Sequence, residues 1–577
     1  MQKSETQVRQ FETADRALHA QFARLTNGLS PASFMLAFLD WATHLAASPG
    51  KQAELMQVAQ TQLLRWQQQA VRGLHCPEPC IQPTARDDRF VHPSWQEWPF
   101  NLIYQGFLLQ EEWWREATTC VRGVTHHHED VVSFMARQWL DMLSPSNLLP
   151  FNPEVIEATA REYGINLVRG GNNFVQDLQR DLSGEPSPDA ARFKPGEQVA
   201  TTPGQVVMRN RLVELIQYAP TTPTVHAEPL LIVPSWIMKY YILDLSPQNS
   251  MVRFLVDKGH TVFILSWKNP QESDRDLGMD DYLHLGPLAA LDAVCKITGQ
   301  KHVHGVGYCL GGTLLAIAAA RLARERDTRL KTVSLLAAET DFESPGELSL
   351  FIDASQVAYL EDLMWSQGYL TGSQMGGSFT FLRSRDLVWS RMVRDYLLGR
   401  HMPMNDLMAW NADVTRMPFR MHSEYLTRLY LNNDLAHGTY AVDGQPVALN
   451  DIDVPLFVVG TVNDHVSPWR SVHKIHLLTE TEVTFLLTSG GHNAGIVSEP
   501  GHPGRSYQMH THARGDTHID PDTWQAVATR HEGSWWPAWQ RWLAAHSGAR
   551  RAPPRLGATK LGYPALGPAP GRYVHDH

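Results

Sequence analysis

Cys309 lies in the segment HVHGVGYCLGG at residues 302–312, between a β-branched run and the small apolar stretch Thr313-Leu314-Leu315-Ala316. A thiol at such a junction is placed for nucleophilic chemistry. Gly307 and Gly311 would let a strand turn sharply into a helix, because side chains two before and two after the nucleophile would collide with the adjoining elements. Free N–H groups at the start of that helix favour a thiolate at Cys309. The N–H of Leu310 would supply half of an oxyanion hole. A cysteine in a glycine-containing turn can also be a buried, inert thiol. The order strand, elbow, helix favours the nucleophile.

Such a nucleophile needs a base and an orienting acid, in the chain order nucleophile, acid, histidine. Asp464 follows the apolar run 456–459 in TVNDHVSPW, where the acid is required. His492 follows the next run, 484–487, on the glycine-rich loop SGGHNAG. Order and placement fit a Cys–His–Asp set. An Asp in an Asn-Asp turn can be a mere turn former, and the chain has 27 histidines, so one histidine after a strand can also fall there by chance. Before the elbow, Ile237 in PSWIMKYY follows another short apolar run and is the candidate for the second oxyanion N–H. His465 is read as a helper or structural residue, and His126–His128, His510 and His512 as solvated loop residues. His473 and His476 form H-x-x-H without the Glu of a zinc peptidase. Cys76 and Cys80 lack a second pair, so no metal and no cofactor is expected.

The elements that must hold these groups are legible in outline. Residues 1–185 read as a mostly helical domain, with helices expected at 30–48, 52–72, 101–119, 131–143 and 154–163. The Pro-, Gly- and Ser-rich stretch 182–204 reads as a linker. From 186 to 577 short apolar runs at 230–233, 261–266, 302–306, 332–336, 456–459 and 484–487 alternate with helical stretches at 250–258, 282–297 and 312–324. This alternation predicts an α/β fold with a parallel sheet wrapped by helices. The pattern breaks at about 340–450, which is expected to be a lid insertion. Residues 550–577 read as an extended, wrapping tail.

Composition sets the outer bounds. Lys and Arg total 50 against 60 Asp and Glu, a net charge of −10, which argues against a nucleic-acid binder working through a basic field. Five cysteines are too few for a disulfide scaffold and suit a reducing compartment. No apolar stretch is long enough for a transmembrane helix, and the polar first residues carry no visible secretory signal. A cytoplasmic protein is expected.

Longer motifs carry a resemblance. Segments SPSNLLPFNP at 144, ATTPGQVV at 200, LIVPSWIMKYYILDL at 231, GHTVFILSWKNP at 259, GYCLGG at 307, LMAWNAD at 407, SGGHNAG at 489, GSWWPAW at 533 and PAPGRYV at 568 span nearly the whole chain. In these the chain resembles the single-subunit, class I-like polyhydroxyalkanoate synthases, or poly(3-hydroxyalkanoate) polymerases. The resemblance implies an α/β-hydrolase fold catalytic domain with a lid, behind a helical N-terminal domain concerned with dimerisation and granule binding. It implies (R)-3-hydroxyacyl-CoA as substrate, with three- to five-carbon units from the class I likeness. It also implies a homodimer at the surface of polyester granules. By matching position Cys309 would carry the acyl chain, His492 would deprotonate it, and Asp464 would orient His492 or activate the 3-hydroxyl. Many members have Asn where this chain has Met238, and Phe or Tyr and Val are common at the positions of Tyr308 and Leu310. A thiol suits the reaction. Transfer from CoA to cysteine is nearly isoenergetic, and a hydroxyl then converts the thioester to an oxoester downhill. A cysteine thioesterase or depolymerase, or a non-catalytic granule-surface protein, would share the same fold.

Overall fold

A computed structural model describes residues 5–72, 78–84, 87–183 and 188–577. The chain divides into two compact units: Met1–Gly28 with Pro188–Gly376 and Met404–His577, and Leu29–Ser187 with Gly377–Pro403. Helix α1 (Glu5–Leu25) belongs to the first unit.

The second unit is helical, with α2 (Pro31–Ala46), α3 (Pro49–Arg72), α4 (Phe100–Thr118), α5 (His126–Met142), α6 (Pro153–Arg161) and α7 (Ile165–Ser183). The starts are written in the sequence. Ser30 accepts from the N–H of Ser33 ahead of Pro31, and Asn152 accepts from Val155 ahead of Pro153. His126, His127 and His128, expected in a solvated loop, instead form the first turn of α5, capped by Thr125. His128 Nδ1 pairs with Asp40 at 2.7 Å, which ties that turn to α2. Phe90, Trp95, Tyr104 and Phe107 make the aromatic centre of this unit. Arg89 is buried there among Asp87, Glu111 and Asp141, so its charge is compensated on several sides. The two tryptophans of HPSWQEWPF part company: Trp95 is 1% exposed and Trp98 63%.

The first unit is built on one eleven-stranded sheet. Its strands are β1 (Gly204–Arg209), β2 (Val213–Tyr218), β3 (Leu230–Val233), β4 (Val262–Trp267), β5 (Val303–Tyr308), β6 (Leu330–Leu336), β7 (Leu456–Thr461), β8 (Val483–Thr488), β9 (Ser506–His512), β10 (Thr529–Glu532) and β11 (Gly567–Pro568). They lie in the order β10-β9-β8-β7-β6-β5-β3-β4-β2-β1-β11. Strands β4, β3, β5, β6, β7 and β8 are mutually parallel. These six are the apolar runs picked out in the sequence. They are predominantly apolar and almost wholly buried, because separate hydrophobic clusters cover the two faces of the sheet. The remaining strands pair antiparallel at the two edges. His510 and His512, expected in a loop, are therefore residues of β9.

One further expectation is corrected. The helix expected over 282–297 is broken at Gly286 (φ −89°, ψ −107°), beside Pro287, and resumes at Ala289–Thr298. A Cβ on Gly286 would stand 2.6 Å from the Trp267 ring, so the break lets the chain pass close over β4. The tail, expected to wrap as an extended segment, is pinned to the sheet. Buried Glu214 on β2 accepts from the N–H groups of Arg572 and Tyr573 at 2.8 and 3.0 Å. Helix α8 (Leu310–Arg324) follows β5 directly. Within 340–450 lies α9 (Ala354–Gln367), against which α1 packs. Gln356 donates to the carbonyl of Gly28 at 2.6 Å and His19 pairs with Asp362 at 2.8 Å. Among the described residues, no helix is long and apolar enough to cross a membrane.

Candidate active site

The nucleophile's position follows from chain geometry. Cys309 has φ 52° and ψ −129°, outside both the helical and the extended regions. A non-glycine residue pays for such a conformation with strain, which persists only when neighbours enforce it. Here they do. The Cys309 N–H donates to Leu336 of β6 at 2.9 Å, while its carbonyl accepts from Gly312 at 2.8 Å. The flanking glycines allow the close packing. A Cβ on Gly307 would lie 2.4 Å from the Cα of Gly312, and one on Gly311 would lie 2.3 Å from the carbonyl oxygen of Val233. The start of α8 is thus pressed against the end of β3. Leu310 is the first residue of that helix. Its N–H belongs to the first turn, which has no acceptor within the helix.

His492 is presented by the loop after β8. Its Nδ1 lies 2.9 Å from Asp464 Oδ2. A carboxylate only accepts, so Nδ1 carries the proton and Nε2 is left for Cys309, whose sulfur is within hydrogen-bonding reach of the ring. Asp464, on the loop after β7, is fully engaged. Oδ2 also accepts from Thr461 Oγ1 at 2.9 Å, and Oδ1 accepts from the N–H groups of Val466 and Ser467 at 2.9 and 2.8 Å. Burial pushes the Asp464 carboxyl up, but His492 and these donors outweigh it and hold it below its ordinary value. Burial likewise disfavours a charged His492. The negative charge of Asp464 and the Cys309 sulfur overcome that, and the imidazole is held well above its ordinary value. The site therefore favours a charged imidazole beside the Asp464 carboxylate.

The structure brings Cys309, Asp464 and His492 together as one connected set. Ile237 lies on the loop after β3, whose Pro234 packs on the start of α8, but its N–H donates to Ser235 Oγ at 3.3 Å. An oxyanion would have to replace that long bond. The loop itself is braced: Thr415 Oγ1 donates to the Ile237 carbonyl at 2.6 Å, and Trp410 Nε1 to the Lys239 carbonyl at 2.7 Å. His465 joins through its backbone, its carbonyl accepting from Glu347 at 2.9 Å. His473 is buried and His476 half-buried against Phe485, and burial pushes them down to about 4 and about 3. Cys295 and Cys80 are half-buried thiols pushed up by burial. Cys76 lies outside the described residues. Among those described, no group of three His, Cys, Asp or Glu is placed to hold a metal ion.

Sequence reasoning missed three supporting residues. Tyr308 donates from its buried hydroxyl to Asn493 Oδ1 at 2.7 Å and so ties the elbow to the histidine loop. Asn493 in turn donates to Asn411 of the LMAWNAD segment at 3.3 Å. Thr461 holds Asp464, as above. Tyr308 and Asn493 each adjoin a catalytic candidate, which was the available signal. Thr461 had none beyond its place at the end of β7.

A parallel sheet with a strained nucleophile elbow, and with an acid and a histidine after successive later strands, defines an α/β-hydrolase fold carrying a cysteine at the nucleophile position. A family model described as alpha/beta hydrolase fold matches residues 228–498. Those described as Poly-beta-hydroxybutyrate polymerase N terminal and Poly-beta-hydroxybutyrate polymerase (PhaC) N-terminus match 9–51 and 86–255. The chain is 42% identical to the poly(3-hydroxyalkanoate) polymerase of Methylorubrum extorquens, over 86% of this chain and 82% of that one. It is 38% identical to the poly(3-hydroxyalkanoate) polymerase subunit PhaC of Rhizobium etli, over 88% of this chain and 80% of that one. Among solved structures, a monoacylglycerol lipase of Paleococcus ferrophilus is 12% identical with a TM-score of 0.32, covering 58% of this chain and 99% of that one. The chain belongs to the poly(3-hydroxyalkanoate) polymerase family.

Proposed function

We propose that this chain polymerises (R)-3-hydroxyacyl-CoA into polyester and releases CoA, with the acyl unit carried on Cys309 as a thioester. The observation that carries the reading is the Cys309–His492–Asp464 set at a strained elbow, with His492 Nδ1 on Asp464 and its ring within reach of the Cys309 sulfur. The Cys309 thiolate attacks the thioester carbonyl. The oxygen becomes an oxyanion facing the Leu310 N–H, with Ile237 as the second donor once its bond to Ser235 yields. As the carbonyl reforms, the carbon–sulfur bond to CoA breaks and His492 gives its proton to the departing thiolate. The 3-hydroxyl of another unit then attacks the Cys309 thioester. His492, now neutral, takes the hydroxyl proton, an ester forms, and the Cys309 thiolate is regenerated.

Asp464 fits the orienting role. A carboxylate offers about four lone-pair positions, and Thr461, Val466, Ser467 and His492 occupy them. That leaves little capacity to accept a substrate proton. Homodimer formation, granule association and a cytoplasmic setting complete the reading. In its support, α2 turns Met35, Leu36, Phe38 and Leu39 outward, each about half exposed, an apolar strip suited to a polyester surface.

The test is CoA release from (R)-3-hydroxybutyryl-CoA by wild type and Cys309→Ala, with the product examined for polymer. CoA with insoluble polyester, lost in the variant, is expected. CoA with only free hydroxy acid would replace the reading with a thioesterase.

A further inference from the structure

Glu339 is a carboxylic acid in the wrong place for a structural residue. It lies three residues beyond β6, the strand between β5, which delivers Cys309, and β7, which delivers Asp464. Its backbone is locked to the elbow. Thr313 Oγ1 donates to the Glu339 carbonyl at 2.7 Å, and a Cβ on Gly312 would lie 2.5 Å from the Ala338 Cβ. The residue is 4% exposed, and its Oε1 is buried without a hydrogen-bond partner. Buried carboxyl oxygens in folded proteins are normally satisfied from within. One left open beside a nucleophile points to a partner that arrives with the substrate.

The surroundings fix which form of the acid is present. Burial first, and then the negative charges of Asp464 and Cys309, push the Glu339 carboxyl well above its ordinary value, against a smaller pull from His492. Tyr425 and Tyr430, with hydroxyls 3.3 Å apart, feel the charges of Glu339 and Cys309 as well, so the same cluster is walled by neutral phenols. A neutral carboxyl carries an O–H donor and acceptor lone pairs together, the complement of an alcohol. In an acyl unit on Cys309, the 3-hydroxyl is separated from the sulfur by only three carbons.

Resting on the function proposed above, we propose that Glu339 binds the 3-hydroxyl of the acyl unit carried on Cys309, and so selects 3-hydroxyacyl thioesters over plain acyl thioesters. Thr461, Val466, Ser467 and His492 leave Asp464 little capacity for this task, and Glu339 supplies it from the loop after the neighbouring strand.

The experiment measures the rate of acylation of Cys309 by intact mass, with (R)-3-hydroxybutyryl-CoA and with butyryl-CoA, which lacks the hydroxyl. Wild type is expected to favour the hydroxy substrate by at least ~10-fold, since a buried polar group left unpaired penalises the analogue. Glu339→Leu is expected to lose that preference, slowing with the hydroxy substrate while butyryl-CoA changes by less than about 3-fold. Glu339→Gln, a neutral hydrogen-bonding replacement, is expected to keep most of the preference. Equal losses on both substrates in Glu339→Leu would assign the residue to folding and overturn the proposal. Equal acylation of wild type by both thioesters would overturn it whatever the variants do. A wild type acylated by neither would remove the underlying reading, and this proposal with it.

Discussion

Replacing Gly311 with alanine should disable the site through geometry alone. The added methyl would stand 2.3 Å from the carbonyl oxygen of Val233 and 2.4 Å from that of Pro234. Both are backbone atoms, so neither can rotate away. Real Cβ atoms stay beyond 3.0 Å of such neighbours, which means the helix start and the loop carrying Ile237 must separate by about 0.7 Å. The first turn of α8 supplies the Leu310 N–H and the loop supplies Ile237, so the separation falls on the two candidate oxyanion donors. Misplacing reacting groups by about 1 Å costs on the order of 100-fold in rate. Overpacking of this kind also destabilises by about 1–3 kcal/mol. Gly311→Ala is therefore expected to lower kcat/KM for CoA release by roughly 10- to 100-fold, with a lower Tm. Gly50→Ala is the control, because a Cβ there meets nothing within 4 Å. CoA release would be followed with a thiol reagent and Tm by differential scanning fluorimetry. Activity within about 3-fold of wild type and an unchanged Tm would refute the close packing of α8 on β3 that places the oxyanion donors.

Two further outcomes are expected. Tyr308→Phe removes the hydroxyl that reaches the half-buried Asn493 Oδ1, a cost of about 0.5–1.5 kcal/mol for the lost hydrogen bond. It should lower kcat with little change in KM, and equal changes in both would contradict a role in holding the histidine loop. Asp464→Asn should lower stability in a pH-dependent way. His492 is held above its ordinary value of 6.5, so the pair contributes fully below that value and fades as pH rises through the raised one. Asp464 is held below 3.8, so its contribution is lost only as pH falls through that lowered value. Thermal melts of wild type and variant should therefore differ most near pH 6, by a margin matching about 3–5 kcal/mol for a broken buried pair, and the difference should narrow in alkaline buffer, where Thr461, Val466 and Ser467 still hold the carboxylate. A difference that grows with pH would contradict the charged pair.

The sheet's parallel centre was legible because its strands are buried on both faces and so are written as plain apolar runs. The edges were not. Strand β10, Thr-Arg-His-Glu, is largely exposed, and β11 is only Gly567 and Pro568, so neither carries an apolar signal. The break at Gly286 had a local signal in Pro287, which cannot continue a helix from the residue before it, although the apolar spacing runs on through it; the Trp267 ring that fills the space is remote in sequence. Likewise, nothing local in α1 tells that it packs on α9. The Cys309, Asp464 and His492 candidates were legible because the elbow and the strand ends constrain residue type. Glu339 was not, because a lone Glu after a strand looks like any surface carboxylate until its burial is known. The occupied N–H of Ile237 was equally invisible, since it depends on the rotamer of Ser235.

The central claim is that Cys309 carries the acyl unit. It is tested most directly by mixing the protein with (R)-3-hydroxybutyryl-CoA, quenching in acid, and locating the added mass by peptide mapping. The account predicts one or more 3-hydroxybutyryl units on the peptide containing Cys309, removable by hydroxylamine and absent from Cys309→Ala. Turnover to polyester with no adduct on that peptide, or undiminished in Cys309→Ala, would contradict it.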